Sequence, residues 1–245
     1  MTALHLLFFL LAFGAEVLGT VGGFGSSVYF VPIASFFFDF QTVLGITALY
    51  HLGSNLSKLA LFRQGLNRSL LLWMGVPSMV LVVVGGMASK WVSGLWLEVM
   101  LGLFLVLLSA IFLIWKNFAF ATTPRNAVVG GAVSGFAAGL LGTGGAVRGL
   151  AMAAYNLEKS AFVATSAAID FGIDLTRTVV YFYNGFITAE SLVFIPALLV
   201  IAWVGTWLGR RILRRLPQAR FKEFSLVLIL TIGLVVMGKS LVSQF

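Results

Sequence analysis

Apolar residues run through this chain in long blocks, with polar residues gathered in short clusters between them. The blocks cover 3–21, 26–38, 42–62, 70–89, 95–115, 127–141, 147–157, 160–183, 191–209 and 224–243. Most approach the roughly 20 residues that a helix needs to cross a hydrocarbon layer of about 30 Å. Two do not: as helices, 26–38 and 147–157 would rise only about 20 Å or less. Each short block follows a glycine cluster, Gly22, Gly23 and Gly25 in one case and Gly142, Gly144 and Gly145 in the other. The pattern predicts an all-α, polytopic membrane protein with no soluble domain. Segment 3–21 lacks a preceding basic stretch and a cleavage-like site, so it reads as a retained membrane segment rather than a signal peptide.

The glycines also repeat. At an offset of 120 residues, Gly19 matches Gly139, Gly22 Gly142, Gly25 Gly145, Gly65 Gly185 and Gly85 Gly205. Chance would give about one or two such coincidences, so the pattern predicts an internal duplication, 1–120 and 121–245. Paired glycine-broken segments in two halves are the sequence pointer to a transporter's binding site.

Composition fits this picture. Hydrophobic residues make up 60% of the chain and charged residues 10%, more apolar surface than one soluble core can hide. The net charge of +8 reads as loop charges that set orientation against anionic lipid, so no nucleic-acid partner is expected. Cysteine is absent, which excludes disulfides and thiol ligands. Loop 210–222 carries Arg210, Arg211, Arg214, Arg215, Arg220 and Lys222, and is expected in the cytoplasm. Counting back places Glu158 and Lys159, Lys116 and Arg125, and Arg63 and Arg68 inside as well, whether the short blocks cross or re-enter. Asp39 falls outside and Lys90 is the exception. The halves are thereby expected to be inverted, with both termini outside.

Charged residues within the apolar blocks are the candidates for chemistry. The glycine loops would start short helices in mid-membrane, whose free N–H groups and positive dipole ends suit an anion. Ser26, Ser27 or Thr143 could cap those helices or touch the ligand; packing of small residues is the plainer alternative. Arg148 falls in the first turn of the second short helix, where a cation needs a partner, unless it snorkels to the interface. Asp170, Asp174 and Arg177 share one helical face, as do His51, Asn55 and Lys58. Glu16 lies near the first glycine loop. Lys58, Arg148 and Arg177 balance Glu16, Asp170 and Asp174, so an arriving anion is unpaired unless an acid, or His51, takes a proton. Glu98 reads as interfacial and Lys239 as snorkelling. Motifs for zinc proteases, serine hydrolases, paired-cysteine metal sites and nucleotide-binding loops are absent, so no enzyme, metal or cofactor is expected.

At these residues the chain resembles the TauE/SafE family of sulfite exporter-like permeases. The resemblance rests on GFGSSVYFVP at 23–32 and GTGGAVRGLA at 142–151, each followed by a polar helix, TALYHLGSNLSKLALFRQG at 47–65 and TSAAIDFGIDLTRTVVYFYNG at 165–185. The family usually shows Gly-x-Gly-Gly-Gly before an apolar run ending in proline. Here Ser26 and Ser27 replace glycines, Arg148 stands in the second run and Met152 replaces its proline. The resemblance implies an inner-membrane carrier of small anions, often sulfur-containing: sulfite, sulfonates or organic acids. The expected binding set is Gly22, Gly23, Gly25, Ser26, Ser27, Asn55, Lys58, Gly142, Thr143, Gly144, Gly145, Arg148 and Arg177. His51, Asp170, Asp174 and Glu16 are the proton-coupling candidates. The partners are a small anion and the lipid bilayer; monomer and homo-oligomer stay equally open. A passive channel, an intramembrane enzyme using Asp170 and Asp174, and a structural subunit of another complex are the rival readings.

Overall fold

The apolar blocks fold as helices, described by a computed structural model at residues 3–22, 25–62, 65–114, 121–215 and 218–242. The described residues contain no strand. In chain order the helices are α1 (Ala3–Gly22), α2 (Ser27–Ala34), α3 (Phe40–Leu61), α4 (Arg68–Ala88), α5 (Gly94–Ile114), α6 (Pro124–Leu141), α7 (Gly145–Ala153), α8 (Lys159–Asn184), α9 (Ala189–Leu213) and α10 (Gln218–Val242). Helices α1, α4, α5 and α9 combine spanning length with few charges. Their outward faces carry Leu10, Val80, Val84, Leu103, Leu107, Val200 and Trp203, which lipid solvates at no cost. The polar and charged residues concentrate on the inner helices α3 and α8, which pack against each other.

Both short helices are shorter than the apolar blocks that encode them. After Ala34 the chain tightens into i→i+3 turns, with Phe36 N–H donating to Ile33 O and Phe37 N–H to Ala34 O, and Pro32 within α2 removes a donor. Helix α7 ends by Asn156, which takes a left-handed φ of 48°. Helix α4 carries a π-turn at Leu71–Gly75 just ahead of Pro77. Proline has no N–H for the i−4 carbonyl, and the wider turn absorbs the mismatch.

Each short helix folds back on its predecessor. Phe8, early in α1, touches the rings of Phe37 and Phe38 beyond the end of α2, at centroid distances of 5.3 and 5.2 Å. Past the end of α7, the Tyr155 hydroxyl donates to the carbonyl of Thr123, the N-cap of α6, at 3.2 Å. The pairs α1–α2 and α6–α7 are therefore hairpins that return to the face they came from. Phe8 and Phe38 also meet Phe194, ahead of Ile195 in α9. At the far end of α9, Arg210 lies over Phe62, 5.6 Å from its centroid. Arg210 and Phe62 share a vestibule with Lys159, and Phe162 and Leu157 pack with Tyr155 beside Leu70. The two hairpins thus open on opposite faces and meet tip to tip in the middle, where Thr143 Oγ1 donates to Ser27 Oγ at 3.2 Å.

Glycine sets the closest helix approaches. On α6, Gly131, Gly135 and Gly139 lie against the backbone of α4 at Met74, Ser78 and Val82, the small-xxx-small packing that membrane helices favour. In the same α4–α6 interface Gly85 lies against the Phe136 carbonyl, and elsewhere Gly205 of α9 lies against the Glu16 side chain of α1.

Candidate functional site

Several helix starts at the two faces are capped by side chains, although α8, behind Glu158, is not. Asp39 accepts from Thr42 N–H at 2.9 Å, Thr123 from Asn126 N–H at 3.2 Å and Thr188 from Ser191 N–H at 3.2 Å. The buried starts of α2 and α7 have no side-chain cap. This corrects one expectation. Ser26 sits in a helical conformation that cannot cap, and its hydroxyl donates instead to Glu16 Oε2 at 2.7 Å. Ser27 and Thr143 bond each other. Gly25 and Gly142 turn the chain with φ of +80° and +76°, a region that costs glycine nothing. Gly22 ends α1, and Gly23 lies outside the described residues. Gly145 approaches Gly25, while Gly144 is pressed on Ser134, whose hydroxyl donates to its carbonyl at 2.9 Å.

The six core charges resolve into three pairs. Lys58 Nζ lies 2.9 Å from Glu16 Oε1, and Arg177 Nη2 lies 2.7 Å from Asp174 Oδ1. Arg148 pairs with Asp170. Glu16 is saturated: besides Lys58 it accepts from Ser26, Thr20 at 3.3 Å, Tyr50 at 3.0 Å, Ser54 at 2.8 Å and Thr206 at 2.9 Å. Asp174 is held at both oxygens, since Asn55 Nδ2 donates to Oδ2 at 2.6 Å. Arg177 also donates to the Gly142 carbonyl at 2.8 Å and to Ala138 at 3.2 Å. It thereby ties down the end of α6 and the second glycine loop. His51 is buried between Phe30 and Tyr50, with Nε2 3.4 Å from Ser26 Oγ.

Arg148 holds the third pair, at the start of α7. It is fully buried rather than snorkelling. Its Nε donates to Ser166 Oγ at 3.2 Å and its Nη2 to Asp170, yet its Nη1 has no partner among the described residues; Arg177 Nε is likewise unpartnered, but it lies behind the glycine loop that Arg177 holds. A buried guanidinium N–H without an acceptor is costly. Beside it lies a cavity of about 20 Å³, lined by Gly19, Thr20, Gly25, Asn55, Lys58, Val163, Ser166, Ala167 and Asp170. Of the expected residues, Gly25, Asn55, Lys58 and Asp170 line this cavity and Arg148 reaches its wall. Arg177, Asp174 and His51 lie behind it. Ser166, Thr20, Tyr50, Ser54 and Thr206 complete the polar core and were not singled out by sequence. Tyr50 and Ser54 lie one turn apart on the polar face that ends in Lys58, and that spacing was the available signal. Away from this core, Lys239 does not simply snorkel: its Nζ donates to the Ser35 carbonyl at 2.6 Å and lies 3.3 Å from Glu98.

Apolar helices long enough to span a membrane, set around two hairpin tips with ion pairs at their meeting point, mark an integral-membrane protein of transport type. The sulfite exporter TauE/SafE family matches residues 8–236, and the chain belongs to that family. It is thereby a membrane transporter of the sulfite-exporter type. No curated protein matches the chain.

Proposed function

We propose that this protein is a secondary transporter of small sulfur-containing oxyanions, such as sulfite, a sulfonate or a related organic acid. The observation that carries this reading is Arg148: a wholly buried guanidinium with a free N–H, at the uncapped start of α7, next to the facing glycine tip. An oxyanion there would accept from Arg148 and from the backbone groups near Gly25, Ser26, Ser27 and 142–146, with Asn55, Lys58 and Ser166 around it. Arg177 would act behind it, by holding the Gly142 loop and adding positive potential.

The three ion pairs leave no net core charge, so one added anion calls for one added proton. That balance supports proton-coupled movement. Alternating access would come from rocking of two inverted halves, 1–120 against 121–245, around the fixed site. Two contacts support the duplication. Gly205 against residue 16 and Gly85 against residue 136 are one contact shifted by 120 residues in both partners. Gly65 and Gly185 are likewise both left-handed, with φ of +82° and +79°. Lys159, Arg210 and Arg214 share one vestibule, which supports an inner-membrane orientation with that face cytoplasmic and both termini outside. Against an enzyme using Asp170 and Asp174, each acid is paired with a different arginine. A passive channel would show flux without counterflow in vesicles.

The test is thermal unfolding of the detergent-purified protein with sulfite, sulfate and isethionate (a small sulfonate), alongside Arg148→Ala. An anion at about 100 times its Kd adds roughly 2.7 kcal/mol, seen as a higher melting temperature. We expect that gain in the wild type and its loss in Arg148→Ala. Equal stabilisation of both proteins, or of neither, would refute the site.

A further inference from the structure

Building on that anion site, we propose that Asp170 is a built-in competitor for the transported anion. Its carboxylate occupies Arg148 when no anion is bound; the anion takes its place, and Asp170 leaves as the neutral acid.

Three observations converge on Asp170 rather than on the other acids. The first is accessibility. The Asp170 side chain is 20% exposed and lines the cavity, whereas Glu16 is 0% and Asp174 3% exposed. The second is how each acid is held. Glu16 has six donors, on α1, α3 and α9 and at Ser26 ahead of α2, and Asp174 is bonded at both oxygens. Among the described residues, Asp170 has Arg148 as its one hydrogen-bond and ion-pair partner. The third is space. A cavity of about 20 Å³ admits a single water, not an oxyanion. The room for an anion at Arg148 is the room the Asp170 carboxylate fills. Its departure frees Nη2 to join the unpartnered Nη1, giving the paired donors that oxyanions bind best.

The proton follows from the charges that face Asp170. These are Arg148 from α7, Lys58 from α3, and Asp174 and Arg177 along α8. With Asp170 ionised and cut off from Arg148, the core would hold its negative charge and the anion's together. A proton on the freed carboxylate, taken up from water through the cavity, restores the balance. One proton is bound per singly charged anion and no other bond changes.

Binding of isethionate and sulfate, whose charges stay fixed over this range, would be measured at about pH 5.5 and about pH 7.5. One linked proton raises affinity by up to about tenfold per pH unit. The wild type should bind at least about tenfold more tightly at the lower pH. At the higher pH, in weak buffer, it should take up about one proton per isethionate. Asp170→Asn should bind at the higher pH at least as tightly as the wild type does at the lower, with no pH dependence. PH-independent wild-type binding without proton uptake would overturn the proposal, as would an Asp170→Asn protein as weak as Arg148→Ala. Either outcome leaves the anion site standing. Undiminished binding by Arg148→Ala, or no binding of either probe by the wild type, removes the site itself and the proposal with it. Proton uptake by the wild type needs no variant, so a misfolded Asp170→Asn does not block the test.

Discussion

Glu16 anchors the core through partners on α1, α3 and α9 and at the start of α2. Its carboxylate is buried, so the free energy lost on leaving water must be regained from those donors and from Lys58. Removing the lysine alone leaves a buried charge without its counter-ion. Lys58→Met is therefore expected to lower stability by about 3–5 kcal/mol, the range for breaking one side of a buried pair. The Lys58→Met and Glu16→Gln double variant should lose less than the sum of the singles, because it buries no unpaired charge. Denaturation in detergent measures both. A single Lys58→Met within about 1 kcal/mol of wild type would mean that the pair behaves like an exposed one. Lys58 would then be free to serve the cavity that it lines.

The helices and their packing follow from short-range pattern, and this is where the chain was most legible. Apolar runs located every helix, and the two glycine clusters located both hairpin tips, because lipid requires backbone hydrogen bonds to close within a segment. The π-turn before Pro77 was carried by one residue and went unread. Side-chain pairing was legible only in part. Asp170, Asp174 and Arg177 do share one helix, but Asp170 turns to Arg148, which lies 22 residues away on α7. Which arginine an acid meets depends on the rotation of two helices about their axes, and no local spacing encodes that. The hydroxyl donors to Glu16 were silent for a related reason, since Ser, Thr and Tyr in membrane helices pack as readily as they bond. The glycine stripe of α6 gives a direct test. A Cβ at Gly135 would run into the Ser78 backbone, which cannot yield, whereas a Cβ at Gly14 meets nothing within 4 Å. Gly135→Ala is expected to cost about 1–3 kcal/mol by overpacking, with Gly14→Ala near neutral. Equal melting of the two variants would show that α4 and α6 have slack.

The two faces of the molecule are closed unequally, and this bears on how an anion would leave. On the Phe194 side, a packed network of Phe8, Phe30, Phe37, Phe38 and Phe194 covers the hairpin tips. There Gly45 of α3 is pressed on the Phe186 carbonyl beyond α8. On the basic side a vestibule of about 760 Å³ leads down past Arg210, Arg214, Lys159 and Ser160. Its floor is the thin apolar cluster of Val21, Phe62, Val163, Ala164 and Leu213. Val163 belongs to that floor and also lines the polar cavity, so about one helical turn below Ser160 divides vestibule from site. Opening toward the basic face needs one small apolar cluster, with Phe62 as its buried ring, to part, whereas opening the other way must separate a network of tilted and edge-to-face rings and a glycine-tight contact. The chain has no cysteine, which allows a clean measurement with single introduced thiols. In intact cells, a membrane-impermeant thiol reagent added outside should label Lys90→Cys and spare Lys159→Cys; inverted vesicles should reverse that pattern. Val163→Cys should react only from the Lys159 side, at a rate that a bound oxyanion changes, and Phe30→Cys should resist from both. Labelling of Val163→Cys from the Lys90 side would mean that the thin floor is not the gate. Outside labelling of Lys159→Cys would instead reverse the orientation and leave the gate where it is.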